Sequence, residues 1–125
     1  MQSIELAGKN YPISFGFGAL MEYERSTGSP VTALFAQFAA NEAKISDLAE
    51  LIACGLTNGA RKAGDGSSYK VFRPGEVADM LDETPNPMEA VTAAMELLAA
   101  SFAPAEPNTK KKKNLTKATR QTGAR

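Results

Sequence analysis

Gly16-Phe17-Gly18 stands where an alternating segment passes into a helical pattern. Glycine-rich loops at such junctions cradle phosphates on a helix N-terminus. A dinucleotide fingerprint needs a third glycine three residues after the second, and Met21 holds that position. A P-loop needs Gly-Lys followed by Ser or Thr, and the chain has no such tripeptide. The pair therefore reads as a tight strand-to-helix turn in which missing Cβ atoms avoid a clash. Glu22 and Glu24, and Asp79, Asp82 and Glu83, could suggest a metal or a catalytic carboxylate pair. Their helical spacing beside apolar stripes makes them solvated faces instead. Histidine is absent, which removes the usual general base near neutral pH and the commonest metal ligand. Cys54 is the only cysteine, so no internal disulfide or thiolate metal cluster can form. Within the run LIACGL it reads as a small core residue. No catalytic residue, cofactor or metal is expected.

The other chemical feature is a basic arm. Formal charge over the 125 residues is zero, yet residues 104–125 hold seven basic residues and one acid, a net of +6. The body has seven basic and thirteen acidic residues, a net of −6. Lys110, Lys111, Lys112, Lys113, Lys117 and Arg120 could neutralise phosphates along a flexible arm. The arm lacks the interleaved aromatics of a single-strand binder, so nucleic acid is not the favoured partner. Docked on an acidic neighbour, each exposed contact would contribute only ~0–1 kcal/mol. No run approaches the ~18 apolar residues of a membrane span. The N-terminus has neither a basic n-region nor an apolar h-region. A reducing cytoplasm is the expected setting.

These residues must be placed by local structure. Ser3–Ala7 and Asn10–Phe15 alternate with period two, and Gly8-Lys9 between them suits a tight hairpin turn. A lone hairpin is marginal in water, so its apolar face must rest on helices. The first helix starts near Phe17, with Phe17, Leu20, Met21 and Glu24 on one side and Thr27-Gly28 at its end. Ser29-Pro30 predicts a second, with Ser29 as N-cap and a stripe of Val31, Leu34, Phe35 and Phe38. A third opens near Ser46, carries Leu48, Leu51, Ile52 and Gly55, and frays at Asn58–Lys62. Ala63–Ser68 is a loop containing Asp65-Gly66, and Tyr69–Phe72 is a short extended piece. Pro74 opens a short helix with Val77, Met80 and Leu81 inward. Asn86-Pro87-Met88-Glu89 is a capping box for a fifth helix, whose stripe is Met88, Val91, Met95, Leu98 and Phe102. After Pro104 too little apolar surface remains to offset ordering entropy. The expected fold is mainly α with a small N-terminal β-hairpin, an α+β arrangement of a hairpin on about five short helices. A domain over 1–103 is followed by a disordered basic tail over 104–125.

The opening resembles that of phage tail assembly chaperones in Gly8-Lys9, Tyr11, Ile13, Phe15-Gly16, Ala19-Leu20-Met21, Glu24 and Thr27-Gly28. Asp47–Gly55 and Phe72–Asp82 resemble the family's third-helix segment and short helix. The resemblance covers about residues 2–103 and implies the same hairpin-plus-bundle fold. It also implies a protein of the host cytoplasm, absent from the finished virion, that binds the long helical tape-measure protein and keeps it soluble during tail assembly. In many such phages a ribosomal frameshift makes a minor longer product that recruits tail-tube subunits. Thr109–Asn114, TKKKKN, forces an A-rich run on which ribosomes could slip. Self-association is a further expectation. A shallow apolar groove would hold the partner by helix-in-groove packing, with Met21, Phe35, Phe38, Met88 and Met95 as its candidates. Two alternatives stand beside this: a small nucleic-acid-binding protein using the basic arm, and a minor virion structural or tail completion protein.

Overall fold

In the computed structural model, residues 2–64 and 68–102 are described. They form one antiparallel hairpin, β1 (Ser3–Leu6) and β2 (Lys9–Pro12), followed by five helices. These are α1 (Phe17–Thr27), α2 (Val31–Ala39), α3 (Ile45–Ala63), α4 (Pro74–Asp82) and α5 (Pro87–Phe102). The mainly α fold with an N-terminal hairpin is thus as expected. The tail over 104–125 and the Asp65-Gly66 turn lie outside the described residues.

The hairpin register pairs Leu6 with Lys9 and Ile4 with Tyr11. The two-residue turn is therefore Ala7-Gly8, one position earlier than expected. Both residues have positive φ, 53° and 81°, as a type I′ turn requires. Ala7 tolerates this less well than glycine, and its N–H donates to the Thr84 hydroxyl at 2.9 Å. Opposed residues share a face, so Ile4, Leu6 and Tyr11 all point at the helices. β2 ends at Pro12, earlier than the alternation suggests. Ile13 still donates to the Gln2 carbonyl at 3.0 Å, and Ser14 then donates to the Gly55 carbonyl of α3 at 3.0 Å.

α3 is the axis of the body and packs on α1, α4 and β2. It does not fray at Asn58 but continues to Ala63. Asn58 is buried, and its amide donates to the Ser14 carbonyl at 3.3 Å and hydroxyl at 3.2 Å. Its Oδ1 accepts from Arg61 at 2.6 Å. These bonds satisfy the amide where it faces β2, so a polar residue serves inside the helix. Gly55 and Gly59 let the hairpin come close. A Cβ on Gly59 would stand 2.5 Å from the Pro12 carbonyl carbon and 2.7 Å from Ile13 Cα. The core beneath holds Leu6, Ile13, Tyr23, Leu34, Leu51, Ile52, Leu56, Val77 and Leu98, all almost fully buried.

Helix starts differ from the expected caps in two places. α2 begins at Val31, and Ser29 does not cap it. Instead the Glu24 carboxylate of α1 accepts the Val31 N–H at 2.9 Å, so one helix caps the next. α5 begins at Pro87 as expected, but Asn86 has φ 52° rather than the extended conformation of a capping box. The Glu89 N–H donates to the Asn86 carbonyl at 2.9 Å. Tyr69–Phe72 pairs with no strand. Phe72 is held by Thr57, whose hydroxyl accepts the Phe72 N–H at 2.8 Å.

Candidate protein-docking surface

The strand-to-helix junction gives the site its first wall. Gly16 precedes α1 with φ −72° and ψ 175°, which any residue can adopt. A Cβ there would meet only the mobile tip of Lys62 at 3.0 Å, and one on Gly18 would make ordinary contacts with Asn58 and Arg61. The turn itself therefore demands neither glycine, contrary to the expected reason for the pair. The same geometry places the Lys62 ammonium over the first turn of α1. The Gly16 carbonyl accepts the Ala19 and Leu20 N–H groups at 3.0 and 3.2 Å. The N–H groups just before them belong to the positive end of the helix.

α1 turns Ala19, Leu20 and Tyr23 inward. Phe17 and Met21, one turn apart on the adjacent edge, are left 80% and 60% exposed. The opposite wall is the end of α5, where Phe102 is 44% exposed. Phe17, Leu20 and Phe102 line one open cleft of about 610 Å³ with Ile13, Phe15 and Lys62. The Phe102 ring meets Phe35 of α2 edge-on, with centroids 5.6 Å apart. Aromatic side chains from three helices thus gather about this cleft, with Met21 exposed one helical turn from Phe17.

The five residues expected to line a groove do not come together. Met21 is exposed one turn from Phe17 and Phe35 meets Phe102, but neither lines the cleft itself. Phe38 is half-buried against the core. Met95 is 5% exposed and is a core residue, because it turns inward beside Val91, Ala94 and Leu98. Met88 is exposed but stands fourteen residues from Phe102 along α5, roughly 21 Å by helical rise. Phe17 and Phe102 were placed on helix stripes but not among the groove candidates, and they are the two exposed aromatics that line the cleft. The signal for Phe17 was present in α1: Tyr23 and Ala19 already claim the side facing α3. The basic residues Lys110–Lys113, Lys117 and Arg120 lie outside the described residues.

A second cleft, of about 590 Å³, runs between α1, α3 and residues 69–74. Its lining includes Cys54, whose thiol donates to the Glu50 carboxylate at 3.3 Å. Burial foremost, and then that hydrogen bond, push the thiol pKa far up, so Cys54 is a poor nucleophile. Glu22, Glu24, Asp79, Asp82 and Glu83 are all exposed, and among the described residues no metal-ligand set gathers. No helix among the described residues is long and apolar enough to cross a membrane.

A protein-family model described as "Phage tail tube protein, GTA-gp10" matches residues 2–104, which takes in the hairpin and all five described helices. No curated protein and no solved structure matches the chain.

Proposed function

We propose that this chain, which belongs to the family described as phage tail tube protein, GTA-gp10, acts as a tail assembly chaperone. In this reading it binds the tape-measure protein in the host cytoplasm and keeps it soluble until the tail tube forms. The observation that carries the reading is the exposure of Phe17 and Phe102 on the two sides of one cleft, with Met21 exposed one turn along α1 from Phe17. Contiguous apolar side chains of this kind mark sites of protein contact. A long amphipathic helix freed of its partners would aggregate through its apolar stripe, and such a surface can cover that stripe. A frameshifted longer product, made at the Lys110–Lys113 codons, would carry a further domain to recruit tail-tube subunits.

The family description itself favours a second reading, a structural tail subunit. The two separate cleanly. Co-expression with the tape-measure protein of the same phage should move that protein into the soluble fraction and yield a complex. The chain should then be missing from purified particles by mass spectrometry. Stoichiometric presence in particles, together with no tape-measure complex, would overturn the chaperone reading in favour of the structural one.

A further inference from the structure

We infer that the cleft between the start of α1 and the end of α5 takes an amphipathic helix whose apolar stripe is flanked by acidic residues. The chaperone reading enters only in naming that helix as a segment of the tape-measure protein.

Shape supports a helix as the occupant. Phe17 and Met21 form an i, i+4 ridge on α1, the row that packs into the groove of a second helix. Phe102 stands across the cleft from Phe17, and Leu20, Ile13 and Phe15 form the floor. Phe35 backs the Phe102 ring and holds its edge. An apolar ridge facing an apolar wall suits a stripe one helix wide.

Charge supplies the sign of the flanks. Lys62 is the single charged residue lining this cleft, and the positive end of α1 opens beside it. Along α4 and α5 the sign reverses: residues 75–102 hold six acids and no basic residue. A helix with acidic flanks would thus meet complementary charge at this cleft and like charge along the outer faces of α4 and α5.

The same facts weigh against two other occupants. The chain's own arm is basic and has Leu115 as its one large apolar residue, so it matches neither the lining nor the charge. A second copy docked with its own cleft face to face about a twofold axis would offer a basic Lys62 and no acid to this lining.

The test uses the full chain and two designed helical peptides of ~20 residues. They share one Leu/Ile stripe and differ only in carrying Glu or Lys on both flanks. Fluorescence anisotropy at low and high salt reads binding. The Glu peptide should bind at least about tenfold more tightly at low salt. Phe17→Ser with Met21→Ser should weaken it about thirtyfold, and Lys62→Glu should abolish most of the preference between the two peptides. Met88→Ser, at the far end of α5, should change nothing. Circular dichroism checks each variant. If the double variant unfolds, Phe17→Ser alone and Lys62→Glu carry the test. Equal binding of both peptides, or Glu-peptide binding untouched by these substitutions, overturns the inference. So does self-association of the free chain that the Phe17 and Met21 substitutions abolish, which would give the surface to a second copy. Tape-measure binding that survives them sinks this cleft but leaves the chaperone reading standing. Peptide binding without tape-measure binding does the reverse.

Discussion

Gly59→Ala should destabilise the body, although Gly→Ala inside a helix ordinarily stabilises by about 1 kcal/mol. The added methyl would stand 2.5 Å from the Pro12 carbonyl carbon and 2.7 Å from Ile13 Cα. Those are backbone atoms of the hairpin and cannot swing aside. Relief requires β2 to lift from α3. That costs about 1–3 kcal/mol as overpacking. It also strains the Ser14 N–H bond to Gly55 and the Asn58 bonds to Ser14, each contributing about 0.5–1.5 kcal/mol. Less the propensity gain, the net loss is about 2 kcal/mol. For a folded body of this size that is a fall in Tm of roughly 10 °C. Gly55→Ala meets the Phe15 ring at 2.5 and 2.8 Å, a side chain with some freedom, and should cost less. Gly75 of α4 has no atom within 4 Å of an added Cβ, so Gly75→Ala should raise Tm by a few degrees, on the order of 0.5 kcal/mol. Thermal melts followed by circular dichroism rank the three. A Gly59→Ala melt at or above wild type would refute the close contact between α3 and β2.

Ala7→Asn should stabilise by about 0.5–1 kcal/mol, because an Asn-Gly pair suits the two positive φ angles of the turn better than Ala-Gly; chemical denaturation measures it. Glu24→Ala should cost about 1 kcal/mol by leaving the Val31 N–H without its carboxylate cap, while Glu24→Gln, which keeps an acceptor, should cost less. The Tyr23 phenol is pushed up to about 12, chiefly by burial and then by the Asp47 carboxylate. Its folded value lies above the ordinary ~10, so its contribution is intact below pH 10 and is lost as pH rises from 10 towards 12. Cys54 acts in the same direction, so in a Cys54→Ala background the denaturant midpoint should fall above pH 10, and Tyr23→Phe should flatten that fall.

Much of the fold was readable because local signals and burial agreed. Pro74 and Pro87 open α4 and α5 where proline can start a helix. Period-two alternation found the hairpin, and the break at Gly8 placed its turn to within one residue. The misses have physical causes. Asn58 reads as a helix breaker by propensity, but its amide is satisfied by Ser14 across the chain, a partner forty-four positions away. Ser29 is a good local cap that loses to the Glu24 carboxylate. For the surface, periodicity identifies apolar edges but not which edge meets a neighbour. Met95 and Met88 lie on the same nominal stripe of α5, yet one is buried and the other exposed.

The exposed edge of α1 follows from how the body is closed. Apolar side chains cover more than half of that helix's circumference at its start, with Phe17, Leu20 and Met21 on one side and Ala19 and Tyr23 on the other. One neighbour, α3, can bury only part of that arc. α2 could have covered the rest, but the Glu24 bond to Val31 fixes its start at the far end of α1. From there α2 sets Phe35 against Phe102 rather than over Phe17. The close contact of residues 12–15 with Gly55 and Gly59 fixes the other end, since Ser14 is bonded to α3 three residues before α1 begins. With both ends set, Phe17 and Met21 cannot rotate inward without withdrawing Tyr23 from the core. Their exposure is imposed by the same contacts that stabilise the fold, and a partner helix covering them would complete what the body's own helices leave open.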